Sequence, residues 1–217
     1  MVSYLRKSYL IAYNAASAVA WATVLGRVIV VLLLRGPTLV PVAVDTFVRN
    51  TQTFAALEIF HSLFGVVNAP FMTTFFQVWS RLAIVWGITY PFPEVTTSPF
   101  YTSMLAAWAT TEVIRYTLFA LKESGFPIPY WLHWLRYSAF TVLYPVGITS
   151  ELVMMYLAYS GPAGYRAEWA PWLIAAYSTT YIPCAPILFS HMVSQRKKQL
   201  GGRKASGHAN GKAKKAL

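Results

Sequence analysis

The sequence predicts an all-α, polytopic membrane protein built as a bundle of six transmembrane helices. Apolar runs of roughly 18 residues or more recur along the chain, the length at which a helix can cross the hydrocarbon core. The 217 residues are 56% hydrophobic, with a mean hydropathy of +0.46. Only 12% are charged, against about 25% in a soluble domain.

The first predicted span covers about Tyr9 to Leu34, after Arg6 and Lys7. It is too long for a signal peptide and no small-residue cleavage pattern follows, so it reads as a retained helix. The second, a short one, covers about Phe54 to Ala69. The third runs from about Met72 to Tyr90 after Pro70, and Pro91 and Pro93 end it, because proline disfavours helix in the residue before it and cannot continue one. The tight Asn68-Ala69-Pro70 turn also allows these two to form one re-entrant hairpin. The fourth span covers about Phe100 to Leu121, and Lys122, Glu123, Gly125, Pro127 and Pro129 form the loop after it. The fifth is Tyr130 to Tyr159. The sixth runs from about Pro171 to Gln195, with Pro183 and Pro186 inside it. Residues 1–195 then form the membrane domain, and 196–217 a basic, disordered tail rich in Gly, Ala, Lys and Ser.

An even number of spans places both ends on one side. The Arg6/Lys7 pair and the basic tail both point to the cytosol. The net charge of +11 is largely a property of that tail, since eight of the 18 basic residues lie between Arg196 and Leu217 and no acidic residue does. A tail beside an anionic leaflet accounts for it better than nucleic-acid binding. Lys214 and Lys215, at the third and fourth positions from the end, match a dilysine retrieval signal of endoplasmic reticulum membrane proteins. The single cysteine, Cys184, excludes an intramolecular disulfide and any multi-cysteine metal site. The four histidines are scattered, and no HExxH, P-loop, GxGxxG or Gly-x-Ser-x-Gly stretch occurs, so these motif chemistries find no support.

Polar residues inside predicted spans carry the functional signal. Glu58, Glu112 and Glu151 lie in spans, as do Arg81, Arg115 and Arg136, with Gln77 and His61. Such groups should face the bundle interior and pair there. Gln77 and Arg81 are four apart, while Glu112/Arg115 and Glu58/His61 are each three apart, spacings that share a helix face. A role as interhelical glue also accounts for Glu112/Arg115, and His61, Asn68 and Arg136 fit backbone bonding or snorkelling. Glu151 stands apart, because no basic residue lies within a turn of it. A carboxylate at mid-span costs about 2.5–3.5 kcal/mol on insertion scales. Tyr144 precedes it by seven residues, about two turns and ~10 Å along the axis on nearly the same face. Pro145 and Gly147 between them can kink the helix. A phenol and a carboxyl facing one cavity form a plausible acid–base pair.

Several stretches occur in a telling order. They are Tyr13-Asn14 with Trp21, Leu57-Glu58-Ile59-Phe60-His61-Ser62-Leu63-Phe64-Gly65, Gln77-Val78-Trp79-Ser80-Arg81, Thr111-Glu112-Val113-Ile114-Arg115-Tyr116, Leu135-Arg136-Tyr137, and Leu143-Tyr144-Pro145-Val146-Gly147 followed by Glu151. Through them the chain resembles the very-long-chain 3-hydroxyacyl-CoA dehydratases of fatty acid elongation, also called the protein-tyrosine-phosphatase-like membrane family. The likeness spans about residues 9–200. It implies six spans with cytosolic termini in the endoplasmic reticulum membrane. It implies loss of water from a 3-hydroxyacyl-CoA to give a trans-2-enoyl-CoA, with no cofactor or metal and with elongase condensing enzymes and reductases as partners. It implies Tyr144 and Glu151 as catalytic residues, supported by Glu58, Gln77, Arg81, Glu112, Arg115 and Gly147. The phosphatase-like loop reads His61 to Asn68 here. Ser62 stands where a Cys-x5-Arg loop has its thiol and Asn68 where it has its arginine, which excludes thiolate chemistry. Two other readings are a non-catalytic scaffold within an elongase complex and a proton-relay transporter, the latter expected to show internal repeats of span pattern, which the sequence lacks.

Overall fold

In the computed structural model, which describes residues 2–213, every regular element is helical. Helix α1 (Val2–Arg35) is long and lies against α2 (Val40–Phe54) through a turn that Gly36 makes at φ 84°, a left-handed conformation that suits glycine. The stretch between the first two expected spans is therefore helical. Its buried residues Val40, Val44, Val48 and Thr51 recur at helical spacing, the pattern of an amphipathic helix with one packed face. Asp45, expected in a loop, sits on α2 and accepts a hydrogen bond from Tyr101 at 3.1 Å. Ala55 and Ala56 keep right-handed helical angles, so α2 passes almost directly into α3 (Leu57–Leu63). The second column thus begins at Val40 rather than Phe54.

Helix α4 (Phe71–Ile84) starts after Pro70 and ends in a π turn over Val85–Thr89, where the Tyr90 N–H reaches back five residues to the Val85 carbonyl. A short 3₁₀ turn leads to α5 (Pro99–Ser124), where the Ser98 hydroxyl accepts from the Phe100 N–H and Pro99 opens the helix. Both are favoured start signals. Gly125 at φ 81° ends it, as a left-handed cap does.

The predicted fifth span is divided. Helices α6 (Tyr130–Ser138) and α7 (Phe140–Ser160) meet at Ala139. The disturbance precedes Pro145, as expected when a proline ring crowds the carbonyl four residues back, here Thr141, and leaves it without a helical donor. A short α8 (Pro162–Arg166) leads to α9 (Ala170–Thr179) and α10 (Tyr181–Ala213). Pro183 acts likewise on the Thr179 carbonyl, and the helix bends at Thr180. Helix α10 runs on through residues expected to form a disordered tail. The dilysine pair, Lys214 and Lys215, lies outside the described residues.

Helix α5 is the central element, packed most extensively on α1 and then on α7. Val24 and Val28 of α1, Met104, Leu105 and Ala109 of α5, and Met154, Met155 and Ala158 of α7 are buried in one core. Among the described residues, three stretches are long and apolar enough to cross a membrane: Tyr4–Arg35, Phe140–Ser160 and Ala170–Leu200. Helix α5 is long enough, but Glu112 and Arg115 lower its hydropathy. Helices α3, α4 and α5, which hold the ion-paired Glu58, Arg81, Glu112 and Arg115, fall outside these three stretches.

Candidate active site

Glu151 is buried on α7 and accepts two hydrogen bonds. The Trp108 indole N–H of α5 donates to Oε1 at 2.8 Å, and the Tyr181 hydroxyl of α10 donates to Oε2 at 2.7 Å. Both oxygens act as hydrogen-bond acceptors. The buried face of α7 that carries Glu151 also carries Gly147, Met154 and Ala158, each three or four residues from the next. Gly147 lies against Ala107 of α5, where an added methyl would stand 3.9 Å from the Ala107 Cβ.

Tyr144 lies two turns back on the same face. Its hydroxyl donates to the Ala185 carbonyl of α10 at 2.9 Å, and its ring packs near Phe189. It does not bond to Glu151. The kink therefore leaves the pair about two turns apart, bridged by successive turns of α10: Tyr181 faces Glu151, and Ala185, four residues later, faces Tyr144. Any group acted on by both must lie along this α7/α10 seam.

A chain of ion pairs approaches Glu151 from the other side. Arg115 grips Glu58 of α3 with two bonds at 2.7 and 2.8 Å and also donates to Glu112 at 2.7 Å. Glu112, buried on α5, accepts from Arg81 of α4. The Tyr116 hydroxyl donates to Glu58. Arg81 then lies over the Trp108 ring, 5.4 Å from its centroid, and Trp108 holds Glu151. Two carboxylates and two guanidiniums thus neutralise one another, as buried charges require. One aromatic ring separates them from the lone carboxylate.

Among the sequence pairings, Glu112/Arg115 forms. Glu58 instead takes Arg115 and Tyr116, while His61 Nε2 shares a 2.7 Å bond with the Tyr9 hydroxyl. Gln77 is exposed on α4. Ser62, at the phosphatase-like position, donates to the Ala69 carbonyl and fastens the loop after α3. Sequence reading passed over Trp108 and Tyr181. Trp108 was findable, since it precedes Glu112 by four and Arg115 by seven on one face of α5. Tyr181 was not, because only the fold brings residue 181 to residue 151.

Fold and site together define a helical protein with membrane-length apolar helices and, at its centre, a buried carboxylate that accepts two hydrogen bonds. The profile described as "Protein tyrosine phosphatase-like protein, PTPLA" matches residues 52–202. The chain belongs to this family. It is similar to the rice very-long-chain (3R)-3-hydroxyacyl-CoA dehydratase PASTICCINO 2B, 38% identical over 216 residues, covering 94% of this chain and 98% of the relative. A probable very-long-chain (3R)-3-hydroxyacyl-CoA dehydratase of Schizosaccharomyces pombe is 40% identical over 200 residues, covering 91% and 95%. The human very-long-chain (3R)-3-hydroxyacyl-CoA dehydratase 2 is 30% identical over 209 residues, covering 90% and 82%. No solved structure matches.

Proposed function

We propose that this protein dehydrates very-long-chain 3-hydroxyacyl-CoA to trans-2-enoyl-CoA, the water-removing step of fatty acid elongation. The observation that carries this reading is the Glu151 carboxylate, buried and fed by two donors, with a phenol on the same helix face. The kinship with chains named as dehydratases agrees with it.

Dehydration breaks the Cα–H and Cβ–O bonds, forms the Cα=Cβ bond and releases the hydroxyl as water. Glu151 accepts on both oxygens and retains a free lone pair on each, so it takes the α-proton. Tyr144 is a phenol and supplies the proton to the departing hydroxyl. Negative charge develops meanwhile on the thioester oxygen. Arg81 commits one N–H to Glu112 and has others to offer, and its place over Trp108 suits it to that oxygen. Glu58, Arg115 and Glu112 hold Arg81 there as positioning residues.

In the membrane, the columns α1, α2–α3, α4 with its π turn, α5, α6–α7 and α9–α10 serve as six crossings. This places Arg6 and the start of the basic tail on one side, the cytosol, in the endoplasmic reticulum. Arg6 binding the Val66 carbonyl at 2.8 Å, and Arg196 binding Ser138 at 3.2 Å, lie at that end. Tyr144 is on the Ser138 side of Glu151, so the CoA moiety enters there. Condensing enzymes and reductases of the elongation cycle are the partners that supply the substrate and consume the product.

The test is purified protein in detergent with a 3-hydroxyacyl-CoA, following enoyl-CoA by mass spectrometry. Wild type should form it, and Glu151→Gln should not while remaining folded and membrane-inserted. Absence of water loss from wild type, under conditions where a known dehydratase works, overturns the reading.

A further inference from the structure

Three contacts set the register between α7 and the α9–α10 column. Tyr144 meets Ala185, Glu151 meets Tyr181, and Met155 Sδ lies 3.4 Å from the Ser178 hydroxyl. Residue numbers rise on one column as they fall on the other, so the two run antiparallel. The seam between them is therefore layered. Tyr144 lies at one level, Glu151 at the next, and Met155 with Ser178 one turn further on.

Beyond Met155 the seam opens into a groove of about 300 Å³. Leu152, Met155 and Tyr159 line it from α7, and Ile174, Ala175 and Ser178 from α9. The lining is apolar apart from the Ser178 and tyrosine hydroxyls, and the Ser178 hydroxyl is occupied by the Ile174 carbonyl at 2.8 Å. Tyr159, at the far end, lies eight residues past Glu151, ~12 Å along the axis. Tyr156 and Tyr159 stand exposed along its rim.

We propose that this groove holds the first stretch of the substrate's acyl chain, beyond the carbons that react. This rests on the dehydratase reading, which fixes the direction. With CoA on the Tyr144 side and the reacting carbons beside Glu151, the chain continues past Tyr181 toward Met155, and the groove is what it meets. Its mouth lies one turn from Glu151 on α7 and one turn from Tyr181 on the other wall. Its apolar walls match an alkyl chain, which packs against them through many small dispersion contacts. The exposed rim at the far end gives a second consequence. A chain longer than the groove leaves it sideways, so the groove grips a fixed number of carbons and sets no upper limit on length.

The experiment compares kcat/KM for a ladder of 3-hydroxyacyl-CoA substrates, from 3-hydroxybutyryl to very long chains, in wild type and in Ala175→Phe, which fills the groove from α9. For wild type, kcat/KM should rise with length and then level off once the groove is spanned. For Ala175→Phe, the shortest substrate should react as in wild type, while spanning chains lose on the order of tenfold or more, the scale of hydrophobic-pocket discrimination. An equal loss at every length overturns the groove and leaves the dehydratase reading standing. Wild type inert at all lengths overturns that reading instead. A second measurement stands whether or not Ala175→Phe folds: wild type is photolabelled with a 3-hydroxyacyl-CoA bearing a mid-chain diazirine. Label on α7 and α9 between residues 152–159 and 174–178 supports the groove, and label confined to other helices overturns it.

Discussion

The Tyr181 hydroxyl donates to Glu151 Oε2 at 2.7 Å, from the residue where α10 resumes after the bend at Thr180. The phenol in direct contact with the buried carboxylate is therefore not the one on its own helix. Tyr144 faces the Ala185 carbonyl instead. In the proposed mechanism one tyrosine orients the base, and the other exchanges its carbonyl partner for a substrate hydroxyl.

This division predicts different outcomes for two conservative changes. Tyr144→Phe removes the proposed proton donor and should lower kcat by about 10²–10⁴-fold, the usual contribution of a general acid. Tyr181→Phe removes one of two donors to Glu151, leaving Trp108. A net hydrogen bond to a charged group is worth about 1.5–3 kcal/mol, so kcat should fall by roughly ten- to a hundredfold with little change in KM. Equal and complete loss in both variants would undo the distinction.

Some of this site is legible in the sequence and some is not, and the dividing line is contact range. Glu112 and Arg115 pair because a three-residue spacing on a helix forces neighbourhood. The same rule suggested Glu58 with His61, but Glu58 is held by Arg115, 57 residues away. Local spacing shows which groups share a face, not what that face meets. Gln77 illustrates the limit: four residues from Arg81, it is nonetheless exposed, because the long arginine side chain reaches inward where the shorter amide does not. Helix α2 is legible in its Val40, Val44, Val48 spacing, but Asp45 and Arg49 break the long apolar run that marks a span.

Glu112 is the linchpin of the ion-pair chain, since it is buried and shared by Arg81 and Arg115. Glu112→Ala leaves two guanidiniums without that partner in the interior. Removing one member of a buried pair costs about 3–5 kcal/mol. The variant should unfold several degrees earlier in detergent, and what remains folded should lose activity because Arg81 is no longer held. Thermal unfolding and specific activity per folded molecule separate the two effects. Wild-type stability in the variant would mean that the chain is solvated rather than buried.

Gly147 faces Ala107 of α5, where an added methyl would make ordinary van der Waals contact at 3.9 Å. Gly147→Leu should force the helices apart, and overpacking of this kind costs typically about 1–3 kcal/mol. Because Glu151 is one turn away, the Trp108–Glu151 bond should break with it. Trp fluorescence and dehydration rate should therefore change together. A change in rate with unaltered fluorescence would point to a role for Gly147 other than spacing.

Glu94 is the contrasting case, an acidic residue the protein should not miss. It lies in the turn before α5, pairs with Arg166 at 2.6 Å, and both side chains are about half exposed. A hydrogen bond from its own backbone N–H, and then Arg166, hold its carboxyl below the usual range. A lowered folded-state value stabilises the protein above the ordinary carboxylate pKa, and that contribution is lost as pH falls through the lowered value. Exposed pairs contribute little because water screens them. Glu94→Gln should therefore leave activity and neutral-pH stability close to wild type, with any difference disappearing at acid pH, where the wild-type carboxyl is also neutral. A loss at neutral pH comparable to that of Glu112→Ala would show that the Glu94–Arg166 contact holds α8 in place rather than merely decorating the surface.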